Sequence, residues 1–188
     1  MRAMSKTRIA FLSAERPLAS LALAVALVAA GLLAAAPPAA AQTLQRIGDF
    51  TDWSAFKAQE NGQPVCFIAS RPKTDEGDYT NRGDIYAMVA QRPSEQRLDE
   101  ATFIAGYTYR EESSVTVAIG DREFTLFTQD DSAWAPDDST NDSLVQAMIN
   151  GLEMVVRGTS SRGTATRDTY SLRGFTAAYR ASRDACGL

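Results

Sequence analysis

The amino-acid sequence predicts a mainly β domain: an antiparallel β-sandwich or partly closed barrel with two short helices, one of them C-terminal. Three observations carry this expectation. Apolar residues alternate with polar ones in several short runs, most clearly at Val115, Val117 and Ile119 and again at Leu152, Met154 and Val156. That is the period of a strand with one buried face. Turn-forming residues separate the runs, at Asn61-Gly62, Gly120-Asp121 and Gly158 to Gly163. Only Ser143 to Asn150 and the stretch from Phe175 to Cys186 place their apolar residues at helical spacing.

The chain opens with Arg2, Lys6, Arg8 and Arg16, offset by Glu15 alone, and then runs 19 residues without a charge from Leu18 to Ala36. Pro37 and Pro38 follow, and Ala39 and Ala41 supply the small residues of a signal-peptidase site. Residues 1–41 therefore read as a signal peptide and residues 42–188 as a single β-rich domain. The competing reading is a retained anchor, since an apolar run of that length just spans a bilayer.

Gln42 to Gly48 reads as a lead-in and Trp53 to Ala58 as the first strand. Asn61-Gly62 turns the chain into Val65 to Ser70, whose apolar content on both faces marks an interior strand. Arg71 to Gly83 reads as a polar loop. Ile85 to Ala90 forms a strand with Tyr86 and Met88 facing away from Ile85, Ala87 and Val89. Ala101 to Tyr109 forms another, with Phe103 facing inward. Val115 to Ile119 and Phe124 to Phe127 make a hairpin across Gly120-Asp121. Gln129 to Thr140 is acidic and irregular, with Trp134 expected to pack. The first helix is expected over Ser143 to Asn150, capped by Asn141 or Asp142 and ended by Gly151. Leu152 to Arg157 and Thr164 to Leu172 make a long hairpin. It leads into a helix whose face is Phe175, Ala178, Tyr179 and Ser182.

Charge and composition narrow the function. Removing the leader leaves 15 basic and 22 acidic residues, a net charge of −7. That balance argues against nucleic acid or anionic lipid as a partner. Histidine is absent from the whole sequence, which removes the usual neutral-pH base and the commonest metal ligand. Cys66 and Cys186 are an even pair in a chain read as exported, so a disulfide is expected, with two separate buried thiols as the alternative. No Cys-Xaa-Xaa-Cys redox pair exists.

The remaining motifs each carry a competing structural reading. Asp130, Asp131, Asp137, Asp138 and Asp142 lack the alternation, central glycine and final glutamate of a calcium loop, and read as a solvated acidic segment. Arg157, Thr159, Ser160 and Arg162 offer two guanidinium groups and hydroxyls, suited to an anion on a ligand or partner. The same residues also suit a hairpin turn braced by its arginines. Ser160 and Ser161 have no histidine to act as base and no Gly-Xaa-Ser-Xaa-Gly elbow. Paired carboxylates for glycoside cleavage are conceivable in so acidic a chain but have no distinguishing spacing. No catalytic residue, metal ligand or cofactor site is assigned.

Several segments resemble the invasion-associated locus B family of alphaproteobacterial exported proteins. They are Gly48-Asp49-Phe50 with Trp53, Cys66 to Ser70, Arg71-Pro72-Lys73 and Asn81-Arg82-Gly83. Gly158-Thr159-Ser160 with Arg162-Gly163-Thr164, then Asp168 to Leu172, and Ala185-Cys186 complete them. The resemblance implies a small β-rich domain of the periplasm or outer envelope, or a secreted one, with a link to host-cell invasion. It implies no catalytic residues. The leading expectation is a non-enzymatic domain that binds a partner protein, of the envelope or of a host, or an envelope component near residues 157–164. A small-ligand domain with aromatics such as Trp134 around a pocket is the alternative, and a carboxylate-based hydrolase comes third.

Overall fold

The computed structural model describes residues 44–188; the expected signal peptide and its cleavage site lie outside them. Among these residues the chain forms strands β1 (Gln45–Phe50), β2 (Trp53–Glu60), β3 (Gln63–Ser70), β4 (Thr74–Gly77), β5 (Tyr86–Arg92) and β6 (Arg97–Ile104). It continues with β7 (Ser114–Ile119), β8 (Arg122–Gln129), β9 (Ser132–Trp134), helix α1 (Asp138–Asn150), β10 (Glu153–Thr159), β11 (Ala165–Ser171) and helix α2 (Phe175–Ala185). All strand pairings are antiparallel, in one sheet of order β1-β2-β3-β5-β6-β9-β8-β7-β10-β11-β4.

The sheet is not closed edge to edge, yet it must curl. β3 and β4 lie far apart in strand order but are joined by Arg71-Pro72-Lys73 alone, which holds their facing ends within about 14 Å. The Trp53 indole N–H, on β2, donates to the Ser171 carbonyl of β11 at 2.9 Å. The result is a sheet folded back on itself, as in a sandwich or partly closed barrel, around one core that includes Trp53, Ile68, Val89, Phe103, Leu126, Met148, Met154, Tyr170 and Phe175. The mainly β expectation with two helices is met.

The alternation places side chains as expected on β5, β7, β8, β10 and α2. Asn61 and Gly62 take φ of 51° and 77° in the two-residue turn between β2 and β3, the conformation that favours this dipeptide. β3 lies between β2 and β5 as an interior strand.

Five local expectations require correction. The lead-in contains β1, an edge strand paired to β2. The polar loop contains β4, whose four exposed residues pair only with β11, so backbone pairing rather than an apolar pattern makes it a strand. The strand expected over Ala101 to Tyr109 starts earlier, at Arg97, and ends at Ile104. The acidic segment contains β9 and the true start of α1, where Asp137 rather than Asn141 or Asp142 caps the helix by accepting the Thr140 N–H at 2.8 Å. Asn141 instead bridges α1 to β6 through the Ala101 N–H and the Asp99 carbonyl. Leu152 lies just before β10 and is 82% exposed.

Cys66 and Cys186 form a disulfide, with Cα atoms 6.0 Å apart. It anchors the end of α2 to the interior strand β3. Lys57 reinforces it by donating to the Ala185 carbonyl at 2.7 Å, a free acceptor at the helix end. Arg183 adds an ion pair to Asp99, and the fully buried Gln91 donates to the same carboxylate at 2.6 Å.

Candidate functional site

Three segments meet beside the β10–β11 turn. The first is 78–83, between β4 and β5; the second is 106–108, after β6; the third is the turn 160–164. Backbone hydrogen bonds tie them: Gly83 N–H to the Gly106 carbonyl at 2.8 Å and Ser161 N–H to the Thr108 carbonyl at 2.8 Å. Gly106 has φ of +72°, and a Cβ there would lie 2.5 Å from the Gly83 carbonyl oxygen. Only glycine permits that crossing. Together the segments enclose a cleft of about 670 Å³.

Beneath the cleft lies an ion pair. The Arg82 guanidinium donates two parallel bonds of 2.6 Å to Asp168 on β11, and its Nε donates to the Ala105 carbonyl at 2.7 Å. Both side chains are almost removed from water, at 4% and 5% exposure. The guanidinium also faces the Tyr107 and Tyr79 rings, at 5.0 and 5.4 Å from their centroids. Burial works against the Arg82 charge, but the Asp168 carboxylate outweighs it and holds its pKa above the ordinary arginine value. Burial pushes the Asp168 carboxyl up while Arg82 pulls it back down. The Tyr107 hydroxyl shares a 2.6 Å hydrogen bond with Thr166. Burial raises the Tyr107, Tyr109 and Tyr170 hydroxyls above the ordinary tyrosine value.

The four residues of the anticipated anion site divide between two faces of the hairpin. Ser160 and Arg162 line the cleft. Arg157 and Thr159 belong to the opposite face of β10, where Arg157 is exposed and opposes Arg167 across the ladder. Inward-facing Gly158 leaves room for a tyrosine: a Cβ there would sit 2.7 Å from the Tyr109 ring. The Ser160 hydroxyl accepts the Thr164 N–H at 3.1 Å, so it braces the turn. Among the described residues Arg162 has no ion-pair partner, so its charge is free at the cleft rim. The cleft also offers Asn81, Thr80, Thr108 and Ser161 as neutral hydrogen-bonding groups, and Asp78 is the one carboxylate among its lining residues besides the Asp168 paired beneath it.

Sequence reasoning missed the Arg82–Asp168 pair as a functional element. The two residues are 86 positions apart, and no local pattern links them. The signal that did exist was the set of segments behind the family resemblance: Asn81 to Gly83 and Ser160 to Thr164 border this cleft, and Asp168 lies beneath it through Arg82. The aspartates of the acidic segment do not gather into a metal site among the described residues. Trp134 is half-buried on the outer sheet face, 5.7 Å from Phe127, away from this cleft.

Comparison with known proteins gives one match. The family model described as Invasion associated locus B (IalB) protein matches residues 53–183. No curated protein and no solved structure matches the chain.

Proposed function

The chain belongs to the invasion associated locus B family, and on that premise we propose that it is a non-enzymatic exported domain of the periplasm or outer envelope. It binds a partner protein or envelope component through an anionic group, a carboxylate or phosphate, held in the cleft beside the β10–β11 turn. The observation that carries this reading is the contrast between two arginines in one cleft. Arg82 is neutralised by Asp168 and serves as floor, whereas Arg162 stands free at the rim among hydroxyl and amide groups. A free guanidinium beside neutral donors suits a planar, bidentate anion. Arg157, with the neutral Thr159 beside it, extends the cationic surface over the other face of the hairpin.

The arrangement also supports a role without catalysis. Ser160 is engaged in the turn, the Asp168 carboxylate is bound by Arg82, and the sequence provides no histidine base. A free small anion is the second reading, favoured by the cleft's volume of about 670 Å³, within the range of small-molecule sites.

Pull-down from envelope extract tests the proposal. Arg162→Ser should weaken capture about tenfold, as expected for losing a charged hydrogen-bonded contact, and R157S/R162S should abolish it, with the unfolding midpoint unchanged. Capture that survives the double substitution removes the site assignment. A thermal-shift series with inorganic phosphate and citrate separates the small-ligand reading, which requires a rise in Tm that Arg162→Ser eliminates.

A further inference from the structure

A larger groove, of about 1110 Å³, lies on the outer face of β5, β6, β9 and β8. Its floor is read directly from the strand register. Met88 opposes Thr102, Thr102 opposes Trp134, and Trp134 opposes Phe127, in one row across four strands. Directly opposed residues bring their Cβ atoms to about 4.5–5.5 Å, so the row is continuous. Leu98 and Ile104 widen it along β6. The intervening residues Ala87, Val89, Ala101, Phe103, Ala133 and Leu126 fill the core, so the floor is a second apolar surface, turned outward. Phe127 is 47% exposed, and no element among the described residues lies over it.

Charge selects the occupant. At one end of the groove Arg92 pairs with Glu100 at 2.6 Å and with Glu60 at 3.2 Å, and Arg97 pairs with Glu95 at 3.6 Å. The start of α1, docked on β6 through Asn141, adds Asp137, Asp138 and Asp142 to the lining, with no basic partner among the described residues. Asp137 is occupied as the α1 cap, which leaves Asp138 and Asp142 free to meet a cation. A second copy of the chain seated here would set acidic rim against acidic rim, and an anionic surface would be repelled. We propose that the groove docks an amphipathic cationic segment of a partner protein. Its apolar side chains cover the Trp134–Phe127 floor, and its Lys or Arg groups reach Asp138 and Asp142. Aromatic floors of this kind supply most of an interface's affinity, and the charges set its orientation and salt dependence.

The groove is separate from the anion cleft, so the two stand or fall independently. The sequence contains two tryptophans. Trp53 is buried in the core and Trp134 lines the groove, so a change in tryptophan emission on titration reports the groove. The probes are short peptides of Leu and Lys, of Leu and Glu, and of Ser and Lys. The Leu-Lys peptide should shift Trp134 emission, and the other two should bind at least about tenfold more weakly. Phe127→Ser, an exposed position, and the pair D138N/D142N, which leaves the Asp137 cap in place, should each weaken Leu-Lys binding about tenfold. The second variant should also flatten the salt dependence, and Arg162→Ser should bind the peptide normally. Three results would overturn the proposal: variants that bind the Leu-Lys peptide like the wild type, equal binding of the Leu-Glu peptide, or a wild-type dimer that Phe127→Ser dissociates.

Discussion

Replacing Arg82 with Met tests whether the cleft floor is the buried ion pair described above. With side-chain exposures of 4% and 5%, the pair has little water to screen it, and breaking a buried pair on one side costs about 3–5 kcal/mol. Losing the Nε bond to the Ala105 carbonyl adds about 1 kcal/mol. Asp168→Asn should cost a similar amount, because it leaves a guanidinium charge with no counter-ion. The double variant R82M/D168L removes both charges, and its cost should fall well below the sum of the singles, giving a coupling energy of about 3 kcal/mol or more. Acid gives a second readout of the Arg82 variant. Without Arg82, burial and the nearby Asp75 charge both push Asp168 up, so its folded-state pKa rises above the unfolded value. The penalty of an ionised Asp168 is then absent below the unfolded pKa, about 3.9, and grows as pH rises through the folded one. The Arg82→Met deficit should therefore shrink towards acid pH. Urea unfolding at a series of pH values, with the m-value checked for constancy, supplies the measurement. Single-variant costs below about 1 kcal/mol, the scale of an exposed pair, or strictly additive costs would refute the reasoning.

Two further outcomes follow from the fold. Removing the disulfide with C66A/C186A frees a loop of 120 residues and should lower stability by about 2–5 kcal/mol; hydrogen exchange should show α2 opening first, and an unchanged urea midpoint would contradict its anchoring role. Asp137→Ala should destabilise α1 through loss of the cap. The Thr140 N–H holds the Asp137 carboxyl below the usual carboxylate range, so the cap's contribution is present above the unfolded pKa and is lost as pH falls through the lower folded value. The Asp137→Ala deficit should accordingly vanish in acid, and one that persists there would count against the cap.

The sequence was most informative where burial follows a short period. Val115 to Ile119, Phe124 to Leu126 and Met154 to Val156 show their strand and their buried face without help from the rest of the chain, because a period of two needs only local reading. Asn61-Gly62 named its own turn for the same reason. The pairing of Cys66 with Cys186 followed from compartment and count. β1, β4 and β9 were hidden because their strand character comes from a partner's backbone. Thr74 to Gly77 carries no apolar pattern and becomes a strand only when β11 offers its free edge.

The candidate site was half legible. Hydroxyls and arginines at 157–164 marked the hairpin turn, but alternation along β10 turns Arg157 away from the cleft while the turn carries Arg162 to its rim. The sequence by itself determined the β class, the inward and outward faces of most strands and the covalent tie between β3 and the C-terminus, all properties of local pattern or of residue type. Only the tertiary structure decided that Arg82 meets Asp168 and that Met88, Thr102, Trp134 and Phe127 share one row. Both depend on register and on the curl of the sheet, and these arise from pairings between residues far apart in the chain, which no local window contains.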